Sequence, residues 1–100
     1  MVVAPSGQLD MESRQLFKDE LMGVIDTGVT AIVVDMSDIG YVTSTGLSAL
    51  LSVAKRLADE NGKFALCSLS DDVNSVFEVS GFSTIFDIYP NVDGALKSLG

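Results

Sequence analysis

The run TAIVVDM, from Thr30 to Met36, constrains the fold of this chain more than any other segment. It is dominated by Ala, Ile and Val without alternation of apolar and polar residues, which is typical of a strand covered on both faces. Such strands occur in parallel sheets, where long crossover connections join successive strands. We therefore predict that this run is the central strand of a mostly parallel sheet.

The sequence after this strand predicts an amphipathic helix and a second buried strand. We place the helix from Gly46 to Glu60, ended by a left-handed Gly62 after Asn61, and the strand from Phe64 to Ser68. Apolar residues recur in the helix at a spacing of three and four and are expected on its sheet-facing side: Leu47, Leu50, Leu51, Ala54, Leu57 and Ala58. The order strand, helix, strand indicates a right-handed crossover between parallel neighbours.

The rest of the chain continues this alternation. Periodicity and capping signals predict a short N-terminal strand, a helix from Ser13 to Asp26 capped by Asp10 or Ser13, a third helix capped by Asp71 and ended by Gly81, a strand from Ile85 to Tyr89, and a helix after Pro90-Asn91. The fold class is therefore α/β, with a mixed, mostly parallel sheet of four to five strands and about four helices. One hundred residues suffice for one such core, so residues 1–100 are predicted to be a single domain.

Composition narrows the functional classes. No apolar run approaches the roughly 18 residues of a membrane-spanning helix, and the N-terminus lacks the pattern of a signal peptide, so we expect a soluble, cytoplasmic protein. A net charge of −8, with six scattered basic residues, argues against nucleic acid and membrane as partners. The single cysteine, Cys67, lies in an apolar run and is interpreted as a core residue.

Catalytic chemistry finds little support in the sequence. The chain has no histidine, which excludes triads and zinc sites built on that residue. Asp35 and Asp38 form the best candidate carboxylate pair, but an aspartate at a strand end more often organises the following turn. The glycines form no nucleotide-binding motif. We predict no enzyme activity, no catalytic residues, no metal and no cofactor.

Three consecutive hydroxyl residues, Thr43, Ser44 and Thr45, precede the predicted second helix. Serine or threonine at a helix start commonly caps it, because the side chain accepts a hydrogen bond from an unpaired backbone N–H. The same position tolerates a phosphate, since the helix dipole and exposed N–H groups favour negative charge. Composition alone leaves capping and phosphorylation both open.

Four motifs in order resemble the STAS domain of bacterial anti-sigma factor antagonists. They are the entry Gly7-Gln8-Leu9-Asp10, the strand end Val33-Val34-Asp35-Met36-Ser37, the loop Thr43-Ser44-Thr45-Gly46-Leu47, and Val79-Ser80-Gly81-Phe82 followed by Ile85-Phe86. In the third motif the family has Asp-Ser-Ser/Thr-Gly-Leu, whose first Ser is the phosphoacceptor. That residue corresponds to Ser44, and Thr43 replaces the family's Asp.

The resemblance implies a function in protein binding and no catalytic activity of the domain itself. It implies that the domain binds an anti-sigma factor serine kinase, that this binding releases the sigma factor, and that phosphorylation of Ser44 reverses it. A phosphatase would restore the unphosphorylated form. The residues implied to bind the partner surround the loop: Asp10, Thr43, Ser44, Thr45, Gly46 and Ser48. No Arg or Lys lies within ten residues of Ser44 to pair with a phosphate.

Three alternatives remain open. The domain could be an adaptor in a signalling or transport assembly, with Ser44 only capping its helix. It could instead bind a nucleotide or another small molecule at the segment from Asp35 to Gly46. Only about six residues precede Gly7, fewer than in most of the family, so an exposed sheet edge could also pair with a second copy and form a homodimer.

Overall fold

The apolar run of residues 30–36 forms the predicted inner strand of a parallel sheet. The computed structural model describes residues 1–99, which contain the following elements in chain order: β1 (Val2–Val3), β2 (Gly7–Leu9), α1 (Arg14–Asp26), β3 (Ala31–Asp35), β4 (Ile39–Val42), α2 (Ser44–Asp59), β5 (Lys63–Cys67), α3 (Asp71–Ser80), a 3₁₀ helix (Phe82–Thr84), β6 (Asp87–Tyr89) and α4 (Val92–Leu99).

Four of the strands form the main sheet in the order β1-β3-β5-β6, and β2 pairs with β4 in a separate two-stranded sheet. All of these pairs are parallel. In the centre of the main sheet, Val33 lies opposite Ala65 and Val34 opposite Leu66. The predicted fold class, a mostly parallel sheet packed with four helices, is confirmed.

The two faces of the main sheet carry unequal layers. Ile32 and Val34 point to the larger core, which also contains buried residues of α1, α2 and α3. Val33 points the other way, because successive side chains of a strand alternate, and packs with Ala65, Cys67 and Ala95 of α4. Burial raises the pKa of the Cys67 thiol, and its place in this cluster confirms the core interpretation.

The sequence did not predict β4. The segment from Asp35 to Gly46 was interpreted as one loop region, but Ile39–Val42 is a strand that pairs with β2. Ile39 and Val42 are buried, whereas Gly40 and Tyr41 between them are exposed. This strand is short and carries a glycine, so neither alternation nor β-propensity marks it clearly. The segment expected to form an open loop that holds a small molecule therefore contains a four-residue strand, Ile39–Val42, and the first turn of α2.

The predicted buried face of α2 was partly wrong. Leu47, Leu50 and Leu57 are buried as expected, but Val53 completes the buried stripe. Leu51 is half-buried at its margin, and Ala58 is exposed. The buried stripe follows Leu47, Leu50, Val53 and Leu57, and Ala58 lies about 100° further round the helix from Leu57, on the exposed side.

Several predicted element ends also need correction. The cap of α3 is Ser70, whose hydroxyl accepts a hydrogen bond from the N–H of Val73, and Asp71 is the first helical residue. At the end of α2 the left-handed residue is Asn61, with φ 60°, and not Gly62. Gly81 does end α3 in the left-handed conformation, as predicted. Ile85 follows the 3₁₀ helix, so β6 is shorter than expected.

Candidate functional site

Thr43, and not Ser44, caps α2. Thr43 has extended backbone angles, and its Oγ1 accepts a hydrogen bond from the N–H of Gly46 at 3.3 Å. Ser44 is already the first helical residue, so the helix starts two residues before the predicted Gly46. The interpretation of Ser44 as a cap was wrong. A cap needs non-helical backbone angles, and three hydroxyl residues in a row do not show in sequence which one adopts them.

The three hydroxyls differ in their surroundings. The Oγ1 atoms of Thr43 and Thr45 lie 2.9 Å apart and share a hydrogen bond, and both residues are half-buried. Ser44 is exposed between them. Among the three candidates, Ser44 is thus the hydroxyl that a kinase can reach without breaking the helix start.

The helix cap at Thr43 and the exposed hydroxyl at Ser44 should respond differently to replacement by alanine. We expect Thr43→Ala to lower the free energy of unfolding by about 1 kcal/mol, because it leaves the Gly46 N–H without its cap. Ser44→Ala should change it by less than about 0.5 kcal/mol, since Ser44 is exposed. Urea denaturation of both variants measures the difference. Equal losses in the two variants would contradict the assignment of the cap.

The start of α2 lies tightly against the end of β2. The N–H of Thr43 donates to the carbonyl oxygen of Leu9 at 2.9 Å. Gly46 is buried, and a Cβ added to it would lie 2.8 Å from the carbonyl carbon of Leu9 and 2.9 Å from Leu9 Cγ. Internal packing therefore explains this glycine. The contact of Gly46 with a partner, which the resemblance implies, stays a prediction.

Asp10 organises the loop that follows β2. Its Oδ1 accepts hydrogen bonds from the backbone N–H groups of Glu12 and Ser13 at 3.0 and 3.1 Å. Its Oδ2 accepts from Gln8 at 3.0 Å and from the hydroxyl of Tyr41 at 3.3 Å. The backbone hydrogen bond from Ser13 is the main cause that lowers the pKa of Asp10, because it stabilises the charged carboxylate.

Ser13 occupies the N-cap position of α1 without the expected side-chain cap. Its hydroxyl instead donates to the carbonyl oxygen of Gln8 at 2.7 Å and accepts from the N–H of Asp10 at 3.0 Å. Asp10 and Ser13 thus hold the turn before α1 together, in place of capping the helix itself.

A groove of about 510 Å³ surrounds Asp10 on the side of the hydroxyl residues. We name it the loop groove, and it is lined by Gln8, Asp10, Met11, Glu12, Tyr41, Thr43 and Thr45. Two carboxylates make it acidic, while Met11 and Tyr41 leave 69% and 45% of their surface exposed. Desolvation, together with the charge of Asp10, raises the pKa of Tyr41. The groove combines two carboxylates with an exposed methionine and an exposed tyrosine, two residue types that are enriched at protein interfaces.

A second groove, of about 350 Å³, lies on the other side of Ser44 between α2 and α3. We name it the helix groove, and it is lined by Ser44, Leu47, Ser75, Val76, Val79 and Ser80. Val79 is 90% exposed, although it belongs to an amphipathic helix whose buried residues are Val73 and Phe77. Ser44 thus contributes to a concave apolar surface, which local sequence patterns do not reveal because it forms only where α3 packs beside α2.

Ser48 lies apart from both grooves. It is one turn beyond Ser44 on α2, and it lines a small groove of about 50 Å³ together with Arg14 and Lys18 of α1. These two bases are more than ten residues from Ser44 in the sequence, and it is the packing of α1 on α2 that brings them beside Ser48. The structure therefore groups Asp10, Thr43 and Thr45 in one groove and Ser44 in another, with Ser48 beside a basic pair.

Asp35, one of the two candidate catalytic carboxylates, has a structural role in the turn after β3. Asp35 Oδ1 accepts a hydrogen bond from the N–H of Ser37 at 3.0 Å, as expected for a strand-end aspartate that organises a turn. Within residues 1–99, no three or more His, Cys, Asp or Glu side chains cluster to hold a metal ion. No helix in this range is long and apolar enough to cross a membrane.

The sequence motifs and this architecture define an α/β domain with an exposed serine at a helix start. The chain belongs to the STAS domain family, whose pattern it matches over residues 1–95. This confirms the resemblance found in the four motifs.

Within the family the chain is similar to proteins named as anti-sigma factor antagonists. BtrV of Bordetella bronchiseptica, which carries that name, is 33% identical over 88 residues, which cover 88% of this chain and 76% of BtrV. The crystal structure of a Thermotoga maritima protein, also named as an anti-sigma factor antagonist, superposes with a TM-score of 0.90 at 26% identity, covering 98% of this chain and 86% of the other. The phosphorylated form of SpoIIAA from Bacillus shares the fold, with a TM-score of 0.73 at 21% identity over 99% of this chain and 89% of that one.

Proposed function

We propose that this protein is an anti-sigma factor antagonist that binds a serine kinase acting as an anti-sigma factor, and so releases the sigma factor. Phosphorylation of Ser44 by that kinase would end the interaction, and a phosphatase would restore it. The domain itself would be no enzyme and would act in the cytoplasm, where sigma factors work. The observation that carries the proposal is the exposed Ser44 hydroxyl between two grooves, next to two threonines that are bonded to each other.

The position of Ser44 allows phosphorylation without loss of the fold. Its side chain is exposed, and the N-terminus of α2 carries unpaired N–H groups and the positive end of the helix dipole. A phosphate of about two negative charges is therefore tolerated in the free domain. A solved structure of SpoIIAA in its phosphorylated form supports this argument by analogy.

The surroundings of Ser44 also explain why a phosphate would oppose binding. Lys55 is the next basic residue along α2, about 16 Å further on along the helix axis. No basic residue lines either groove, and the bases Arg14 and Lys18 lie beside Ser48. A partner that covers Ser44 would strip water from a dianion with which no basic residue of either groove pairs, which is costly.

The charge of the loop groove favours a basic partner surface. Asp10 and Glu12 lie in this groove, and the hydrogen bonds to Asp10 keep its carboxylate charged and fixed. A fixed carboxylate loses little freedom when it pairs with Arg or Lys of a partner. We therefore infer that the kinase contacts Asp10, Tyr41 and the two threonines, with Ser44 at the edge of this contact.

The test uses variants that separate charge from folding. Purified anti-sigma factor kinases encoded in the same genome are each incubated with the protein and ATP. We expect one of them to phosphorylate the wild-type protein at Ser44, as identified by peptide mass spectrometry. Ser44→Ala should bind this kinase as wild type does but remain unlabelled. Ser44→Asp should bind at least tenfold more weakly while its melting temperature stays unchanged.

Thr43→Ala and Thr45→Ala serve as controls, because each removes a neighbouring hydroxyl and leaves Ser44 in place. They should still be labelled, which excludes a neighbouring hydroxyl as the acceptor. The proposal fails if Ser44→Ala is labelled undiminished, or if Ser44→Asp binds as tightly as wild type. If this protein is unphosphorylated in cells and stably bound in a larger assembly, it would instead be an adaptor subunit of a signalling or transport assembly.

A further inference from the structure

Two small apolar pockets lie next to each other between the N-terminal segment and α1. The first has a volume of about 190 Å³ and includes Val3, Pro5 and Phe17 in its lining; the second, of about 210 Å³, shares Pro5 and Phe17 with it. We name the two pockets together the N-terminal groove. Each is smaller than the roughly 300 Å³ at which sites for whole small molecules begin, so each suits a single side chain.

The N-terminal groove exposes apolar surface that the core leaves over. Leu9 and Phe17 in its lining are buried, whereas Leu16 leaves 66% of its surface exposed. Leu16 precedes Glu20 by four residues, so both side chains lie on the same side of α1. The walls of the groove come from the N-terminal segment, α1 and Ile39, and it is therefore separate from the surface that α2 and α3 form around Ser44.

The chain segment that forms one wall of this groove has free backbone groups. Residues 4–6 connect β1 to β2, and within residues 1–99 their backbone makes no hydrogen bond. Pro5 has no N–H, so the free donors are the N–H groups of Ala4 and Ser6, and both of these residues are exposed. Free backbone groups beside a groove can pair with an extended peptide, as the edge of a sheet does in strand addition.

Glu20 gives the groove its charge. This residue is exposed and lines both pockets. The ion pairs within residues 1–99 join Arg56 to Asp26 and Glu60, which leaves Glu20 without a basic partner. A carboxylate beside apolar pockets is complementary to apolar side chains that have an Arg or Lys next to them. A second copy of this chain, with a net charge of −8, is a poorer match than a basic partner.

We propose that the N-terminal groove binds an extended segment of a partner protein that carries two apolar residues separated by one position, with an Arg or Lys beside them. Side chains two positions apart in a strand point the same way at a distance of about 7 Å, so one enters each pocket. The backbone of the segment pairs with residues 4–6, and its basic side chain contacts Glu20. This contact does not depend on the proposed function, because it uses another surface.

Selection from a phage-displayed library of random octapeptides on the immobilised protein tests the specificity. We expect the enriched sequences to contain two apolar residues separated by one position, with Arg or Lys next to them. A synthetic peptide of the enriched sequence should shift the amide NMR signals of Val3, Leu16 and Glu20 and leave those of α3 unchanged. Enrichment of sequences without this pattern, or shifts confined to α2 and α3, would overturn the proposal.

Variants of the two exposed residues test the charge and the apolar contact separately with the same peptide. Glu20→Gln should weaken binding at least threefold and reduce its dependence on salt, whereas Glu78→Gln on α3 should do neither. Leu16→Ser should weaken binding at least fivefold, and the control Leu96→Ser on α4, where Leu96 is 43% exposed, should bind within twofold of wild type. Loss of binding in neither Glu20→Gln nor Leu16→Ser would place the peptide elsewhere.

Peptides methylated on backbone nitrogens test the strand pairing. Successive N–H groups of a strand point to opposite sides, so methylation of one alternate set should abolish binding, and methylation of the other should change it less than threefold. Equal binding of both methylated peptides would contradict strand addition. A wild-type protein that sediments as a dimer, with a monomeric Leu16→Ser variant, would show that a second copy covers the groove instead. All of these measurements use the protein without a kinase, so their failure leaves the proposed phosphorylation of Ser44 intact.

Discussion

Gly46→Ala is expected to lower the free energy of unfolding by about 2 to 3 kcal/mol, and Gly46→Val by more. The added Cβ would lie 2.8 Å from the carbonyl carbon of Leu9, closer than side-chain carbons approach backbone in real structures. The Leu9 carbonyl oxygen accepts the N–H of Thr43, so it cannot move away without loss of that hydrogen bond. Such overpacking typically costs 1 to 3 kcal/mol and rises with the size of the side chain.

Gly23→Ala is the matched control, because it makes the same chemical change in another helix. A Cβ on Gly23 would meet no atom within 4 Å, and alanine has the higher helix propensity. This variant should gain up to about 1 kcal/mol. Urea denaturation followed by circular dichroism measures both variants. A Gly46→Ala protein as stable as wild type would show that α2 does not approach β2 as closely as described.

Leu50→Ala is expected to cost about 2 to 5 kcal/mol, because Leu50 is fully buried between α2 and the sheet and its truncation leaves a cavity. Leu51→Ala removes the same atoms from a half-buried position and should cost about 1 kcal/mol. The two residues are adjacent in the sequence, so differences in helix propensity and chain position do not contribute. Their difference isolates the effect of burial.

Denaturant unfolding of both leucine variants, fitted with a common slope, provides the comparison. Similar losses at both positions would show that α2 is rotated about its axis relative to the structure. Losses below 0.5 kcal/mol at both positions would show that this face of the helix does not pack on the sheet at all.

The sequence predicted those elements whose hydrophobic pattern is long and regular. The run of residues 30–36, the helix around Leu50 and the strand around Leu66 were placed within one or two residues of their observed ends. It did not predict Ile39–Val42, because a four-residue strand with a glycine has no recognisable periodicity. Its pairing with β2 depends on residues about thirty positions earlier, which local patterns do not reveal.

The candidate site was predicted in part. The hydroxyl residues and Asp10 were identified, and the structure brings Asp10, Thr43 and Thr45 into one groove. The sequence could not show which hydroxyl caps α2, because three neighbours are chemically equivalent. Val79 could not be found either, since its proximity to Ser44 arises from the packing of α3 beside α2.

The absence of any antiparallel pair among the described strands determines how this chain reaches its native state. Val2 pairs with Val33, Ala31 with Lys63 and Ala65 with Asp87, so each pair of neighbours in the main sheet encloses a long stretch of chain. No hairpin can nucleate the sheet, and the entropy of closing loops of about 20 to 30 residues must be lost before the first ladder forms. Helices can form within their own segments, whereas strand pairing must wait for the collapse of distant parts of the chain. The rate of folding is therefore set by these long-range encounters, and mutations that weaken the contact of β3 with β5 should slow refolding rather than accelerate unfolding.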